Sequence, residues 1–182
     1  MNKLLIIMVA VIFNYGNFSS SLHKDKESDK IEKFSQQSML LGKFSEKDLL
    51  KEPYSRWFKP RYENYEPKKS SIKTISKHIN DYKITLYMGT WCGDSKRETP
   101  RLFKVLEESG FKMKNLTAYA VDHSKRTPEK TEENVNLHRV PTIIFYKNGK
   151  EVNRFVEYSQ ESIEEDIAKI VSGKEYKNPY AK

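Results

Sequence analysis

The sequence predicts an α/β domain built on a mixed sheet with helices packed against it. Two observations carry the prediction. From Ser70 onward, segments with helical and with strand periodicity alternate. The run then closes on two β-rich stretches joined through Asn148-Gly149, the strongest short signal for an antiparallel hairpin. Alternation at the start and a hairpin at the end argue for a sheet that is part parallel and part antiparallel, with helices on both faces.

The elements follow in order. Ser70 or Ser71 caps a helix whose Ile72, Ile75 and Ile79 share one face. "KITLYMG" is a short apolar strand, and a helix opens at Cys92 and runs to Gly110. "LTAYAVD" is the next strand. Thr127-Pro128 has a cap residue followed by proline at the first helical position, which predicts a helix over "PEKTEENV". "PTIIFYKNGKEVNRFVEY" is the hairpin. Ile163, Ile167, Ile170 and Val171 mark a last amphipathic helix, with Ser162 and Glu165 spaced for a capping box.

The chain before Ser70 reads differently. "MNKLLIIMVAVIF" sets Lys3 before an apolar run from Leu4 to Phe13, and small residues follow. A run of 10 apolar residues is short of the ~20 needed to cross a bilayer core. The layout is that of a secretory signal peptide over residues 1–21, with Ser19 and Ser21 at the −3 and −1 positions of the cleavage site. Export to the periplasm or outside the cell is the expectation, and an uncleaved N-terminal tether is the alternative. Residues 22–69 are expected to be a linker and an N-terminal arm. In the arm, Ser45 and Asp48 can cap a short helix, and Pro53, Pro60 and Pro67 predict extended pieces and turns. Tyr54, Trp57, Phe58, Tyr62 and Tyr65 crowd it. Such a strip either binds a partner or, in the reading adopted here, anchors the arm across its own domain. Residues 70–182 form the domain itself.

Composition narrows the function. The 182 residues carry a formal net charge of +8, but the lysines are scattered among glutamates with no dense basic block. That is a solvated basic surface rather than a nucleic-acid groove. One cysteine among 182 residues forbids an internal disulfide.

That cysteine stands in "MGTWCGDSKRETPRLF". At the start of a helix, Cys92 meets unpaired backbone N–H groups and the positive end of the helix dipole. Both favour a thiolate, the nucleophilic form of the sulfur. Lys96 and Arg97 add positive charge nearby, Asp94 opposes them, and Trp91 can cover the sulfur from one side. Asp94 also suits the first turn of a helix for structural reasons alone.

These residues carry a resemblance. From about Ser70 to Gly173 the chain resembles a thioredoxin. Trp91, Cys92, Gly93 and Lys96 match the Trp-Cys-Gly-Pro-Cys-Lys motif. Pro100 falls where thioredoxins kink the active-site helix, and "RVPTIIFYKNGKEV" resembles the segment that holds their cis-proline and hairpin. With its aromatic arm, "TWCGDSK" also resembles exported bacterial single-cysteine thioredoxin-like proteins. The resemblance implies a thioredoxin fold, with Pro141 as the cis-proline and Val140 pairing with the backbone of a bound peptide beside Cys92. It implies protein clients or small thiols as partners, and calls for no cofactor.

Two departures bear on chemistry. Ser95 stands in place of the resolving cysteine, and a hydroxyl is far too weak an acid to attack a mixed disulfide. Leu86 stands where thioredoxins bury an aspartate that moves protons to the second sulfur. The two losses are coherent, because without a second thiol a buried carboxylate would only cost desolvation. His123 and His138 fall near the site end, but no ligand pair has metal-type spacing, so they read as surface histidines and no metal is expected. The Lys-Asn-Gly-Lys hairpin, in place of a Gly-Gly-rich turn, argues against an iron–sulfur role like that of monothiol glutaredoxins.

The expected function is therefore monothiol thiol–disulfide exchange outside the cytosol. One sulfur supports mixed-disulfide formation, isomerisation, or the removal of small-thiol adducts from proteins. The alternative is a binding module that captures cysteine-bearing clients without turnover. A purely structural domain leaves the helix-start cysteine unexplained.

Overall fold

The computed structural model describes residues 39–181. The signal peptide expected over 1–21, and the linker that follows it, lie outside the described residues. Within them the chain forms β1 (Gly42–Phe44), α1 (Glu46–Leu49), α2 (Ser55–Glu63), α3 (Lys69–His78), β2 (Lys83–Met88), α4 (Gly93–Glu108), β3 (Leu116–Ala120), β4 (Thr142–Lys147), β5 (Lys150–Val156) and α5 (Ile163–Ser172). No helix among the described residues is long and apolar enough to cross a membrane.

The strands form one mixed sheet in the order β1-β3-β2-β4-β5. β2 and β3 are parallel, while β4 pairs antiparallel with both β2 and β5. The hairpin turn is made as expected: Asn148 and Gly149 both take positive φ, 52° and 78°, the conformation a tight two-residue hairpin requires.

Strand alternation divides the interior in two. Ile84, Leu86, Met88, Ile143 and Phe145 face one side, where Ile75, Leu102, Leu106, Ile167 and Ile170 of α3, α4 and α5 cover them. Tyr87, Val121, Val140 and Ile144 form a smaller cluster on the other side, packed by Trp91, Cys92, Val135 and Leu137.

The helix expected over "PEKTEENV" does not form, so the second face is covered by turns. Thr127, expected as the cap, instead binds Glu132: its backbone N–H and hydroxyl both donate to that carboxylate, at 3.0 and 2.6 Å. Lys130, inside the expected helix, takes positive φ, 54°, which a helix interior does not accommodate. Tyr87 fastens the segment to the sheet by donating to the Thr131 carbonyl at 2.9 Å. The cap of α3 also shifts: Lys68, not a serine, holds that position.

The arm corrects a second expectation. Pro60 does not break it into extended pieces; α2 runs through Pro60. The proline removes one backbone donor, and packing compensates. Phe58 is fully buried, stacked on Tyr62 at 5.7 Å and edge-on to Phe103 of α4 at 5.8 Å. β1 adds to the sheet edge, antiparallel to β3. The Ser45–Asp48 box forms, with the Ser45 N–H donating to the Asp48 carboxylate at 3.0 Å. Residues 39–69 thus share one core with the rest of the described chain.

Replacing Phe58 by Ala is expected to cost about 3–5 kcal/mol, the usual penalty for emptying a buried aromatic site. Chemical denaturation of the two proteins measures it. A loss below about 1 kcal/mol would mean that the arm does not support the fold.

Candidate active site around Cys92

β2 ends at Met88, the chain turns through 89–91, and α4 starts at Gly93 with Cys92 as its N-cap. The turn closes where the Cys92 N–H donates to the Gly89 carbonyl at 3.0 Å. The Cys92 carbonyl then accepts from the Lys96 N–H at 3.0 Å, the first bond of the helix. The half-buried thiol is therefore placed over the amide end of a helix 16 residues long.

The sulfur meets the opposite loop. The Cys92 thiol donates to the Val140 carbonyl oxygen at 3.2 Å, and the Val140–Pro141 peptide bond is cis. Two segments 48 residues apart thus converge on one point, the juxtaposition expected of Cys92, Val140 and Pro141.

Trp91 flanks the sulfur and is fixed from two directions. Its indole N–H donates to the Val121 carbonyl at 2.9 Å, and His123 stacks on the ring at 4.5 Å. The ring folds back over Gly89, where a Cβ would lie 2.6 Å from Trp91 Cε2. Gly93, by contrast, is exposed, and a Cβ there would meet no atom within 4 Å. The approach to the first turn of α4 is open.

Ser95 is fully buried, and its hydroxyl oxygen accepts from the Gly89 N–H at 3.1 Å. It stands three residues after Cys92 and answers a backbone donor that would otherwise be buried unpaired. Leu86 is fully buried in the larger core cluster, whereas Cys92 packs against the smaller one.

The charges are arranged differently from the sequence expectation. Arg97 does not turn toward the sulfur. It pairs with Asp94 at 2.6 Å and with the buried Glu98 at 2.7 Å, so Asp94 and Arg97 offset one another. Arg101 also reaches Glu98, at 3.3 Å, and lies over the Tyr65 ring at 5.0 Å. Lys96 is half-buried on the first turn. His138 is exposed, and no metal-holding group of three or more His, Cys, Asp or Glu occurs among the described residues.

The family model named Thioredoxin matches residues 67–169. The chain belongs to the thioredoxin family. Thioredoxin-2 of Saccharomyces cerevisiae is 33% identical to it over 85 residues, 47% of this chain and 76% of that protein. Solved structures that overlap it include a protein of unknown function from Pseudomonas aeruginosa, with a TM-score of 0.48 at 13% identity, covering 65% of this chain and 81% of that one. The thioredoxin of Fasciola hepatica overlaps with a TM-score of 0.38 at 23% identity, covering 53% and 88%.

Several residues of this thioredoxin-family site were not anticipated from the sequence. Gly89 is one, and the glycine just ahead of the Thr-Trp-Cys run was its only signal. Thr90 is another: its hydroxyl accepts from the Leu40 N–H at 3.3 Å and ties the arm to the active-site turn. Arg139, Glu157 and Tyr180 form a third group beside Val140. The Arg139 guanidinium lies over the Tyr180 ring at 4.2 Å and pairs with Glu157 at 3.2 Å. Nothing local in the sequence brings those three together.

Ser95→Ala leaves the buried Gly89 N–H without its acceptor. The expected cost is about 1–3 kcal/mol of stability, measured by denaturant unfolding. A variant as stable as the parent would show that the Ser95 hydroxyl does not hold the turn.

Proposed function

We propose that this protein is a monothiol thiol–disulfide exchanger that works outside the cytosol on cysteine-containing proteins and small thiols. The observation that carries the reading is the placement of the single sulfur. Cys92 caps α4, stays partly accessible, and lies 3.2 Å from the Val140 carbonyl on the loop where the family binds extended chains. The first turn of α4 presents backbone N–H groups that have no partner within the helix. The chain's kinship with thioredoxins supports redox work on protein disulfides.

In the first step the Cys92 thiolate attacks an exposed disulfide. A Cys92–client S–S bond forms, the original S–S bond breaks, and one client sulfur leaves as a thiolate. The second step needs another thiolate, because the Ser95 hydroxyl cannot act as one. A client thiol closes an isomerisation cycle. A small thiol instead releases the client and takes its place in the disulfide. The open approach over Gly93 fits a nucleophile that arrives from outside. Val140 and Pro141 line the client side, and Trp91 and Lys96 border the sulfur. No cofactor and no metal enter this scheme, and nucleic acid is not a partner.

A second reading, capture without turnover, rests on Ser95. With its hydroxyl engaged by Gly89 and no thiol behind it, an adduct at Cys92 persists until an external thiol reaches it. Both readings share a test. Ser95→Cys makes the resolving step intramolecular, with an effective concentration far above that of a free thiol. Without added thiol, the Cys92–client adduct should survive in the parent and decay at least ~10-fold faster in the variant. Equal lifetimes would show that the missing second sulfur is not what holds the client. If the parent turns over a model disulfide with added small thiol, exchange stands; stable adducts under the same conditions leave capture.

Export rests on the first 21 residues and the apolar run from Leu4 to Phe13. Intact mass of the protein from its native compartment should show a chain that begins at Leu22, and should show any group joined to Cys92. A full-length mass would replace cleavage with the N-terminal tether.

A further inference from the structure

We propose that a polar recess beside Val140 seats the carboxylate of a small thiol or of its disulfide, and so delivers the external sulfur that Cys92 needs. The proposal rests on the monothiol reading and deepens it by naming the chemistry of the second reactant.

The recess has a volume of about 400 Å³, and Asn136, His138, Arg139, Arg154, Asn178 and Tyr180 are among the residues that line it. His138 and Arg139 run directly into Val140, whose carbonyl touches the sulfur. The recess and the nucleophile therefore share one loop. The loop is held in place: the Thr142 hydroxyl donates to the Arg139 carbonyl at 2.7 Å, and the Glu157 N–H donates to the Pro141 carbonyl at 2.7 Å.

The polar groups suit a carboxylate. Arg139 uses Nη1 for both Glu157 oxygens, each at 3.2 Å, and its face stacks on Tyr180. Among the described residues the Nε and Nη2 edge of the guanidinium meets no acceptor. A guanidinium edge is the geometry that meets a carboxylate with two parallel hydrogen bonds. His138 is exposed, and neither ring nitrogen has a hydrogen-bond partner among the described residues. Arg154 is fixed deeper, donating to the Val135 carbonyl at 2.8 Å and pairing with Glu151 at 2.6 Å. Glu157 and Glu151 offset the two arginines, so the seat favours a carboxylate by hydrogen-bond geometry more than by net charge. The preference should be a matter of a few fold.

The chemistry balances. A client carrying a small thiol as client–S–S–R is attacked by the Cys92 thiolate. Cys92–S–S–R forms and the client leaves as a thiolate. A second R–S⁻ attacks that adduct, R–S–S–R leaves, and the Cys92 thiolate returns. One S–S bond is broken and one formed in each step. The client sulfur is reduced by one equivalent of R–SH, which ends as R–S–S–R. The carboxylate of R occupies the recess whenever R is joined to Cys92.

The test uses the reduced protein and three small disulfides: 3,3′-dithiodipropionate, which carries two carboxylates, neutral 2-hydroxyethyl disulfide, and cystamine, which carries two ammonium groups. Intact mass follows capping of Cys92. Each rate constant is divided by that of the same disulfide with a free-cysteine peptide, which removes intrinsic reactivity. The normalised rate for the dicarboxylate should exceed that of the neutral reagent by roughly fivefold, with cystamine at or below the neutral rate. In Arg139→Gln the ratio should fall to about one. Lys147→Gln removes the same charge at the far end of β4 and should keep it. His138→Gln is a second variant on an exposed side chain and should lower the ratio. A ratio near one in the parent, a ratio preserved in both Arg139→Gln and His138→Gln, or an equal loss in Lys147→Gln would overturn the proposal alone. No capping of Cys92 by any of the three would overturn the exchange reading and this one with it.

Discussion

The site depends on one glycine. Gly89 serves two neighbours at once: its N–H answers the Ser95 hydroxyl, and its missing side chain leaves room for the Trp91 ring. Its carbonyl also accepts from the Cys92 N–H. The turn that carries the sulfur is therefore tied to the sheet end, the helix start and the flanking indole through a single residue. A bulkier residue at 89 would push the ring off, and with it the Trp91–Val121 hydrogen bond. The direction in which the thiol faces follows from this turn, because Cys92 has extended backbone, ψ 129°, at the point where the helix begins.

A chain of charges connects that helix to the arm. Asp94 pairs with Arg97, Arg97 and Arg101 with Glu98, Arg101 lies over Tyr65, and the Tyr65 hydroxyl donates to Glu164 of α5. Glu98 is almost wholly buried, and a buried carboxylate persists only when paired. The two arginines supply that pairing, which leaves Lys96 as the first-turn cation not committed to Asp94 or Glu98. Burial and the hydrogen bond to Glu164 push the Tyr65 phenol well above its usual range, so it stays a neutral donor across the working pH. The arm aromatics are thus structural members. Phe58 fills the core and Tyr65 closes the polar network above it.

Most of the sheet was legible because its signals are local. Asn148-Gly149, the apolar runs of β2 and β4, and the Ser162 cap each act within a few residues, and each formed; of the Ser162–Glu165 pair, the Glu165 N–H donates to the Ser162 hydroxyl. The failures came where distant partners decided. Thr127-Pro128 has a helix start by local rules, yet Glu132 and the sheet residue Tyr87 draw the segment into turns. Pro60 reads as a breaker, yet the buried Phe58 holds its helix together. At the site, the placement of Cys92, Trp91, Val140 and Pro141 was readable through a motif. The partners of Arg97 were not, because both Asp94 and Lys96 lie within reach of simple charge arguments while the decisive Glu98 is buried only in the folded chain. The Arg139–Glu157–Tyr180 group had no sequence signal, since the C-terminal tail returns to the loop only in three dimensions.

Leu86 and Ser95 are both fully buried and carry neither a thiol nor a carboxylate. In a dithiol site the interior side of the first sulfur holds the second reactant and the carboxylate that serves it. Here those two positions hold a core leucine and a hydroxyl already engaged by the Gly89 N–H. Restoring only the thiol would leave it without the carboxylate that serves it, and restoring only the acid would bury a charge with nothing to do. The pair is stable because both positions are inert together. The half-buried sulfur of Cys92 packs with Trp91 against the smaller cluster and meets the Val140 carbonyl at 3.2 Å.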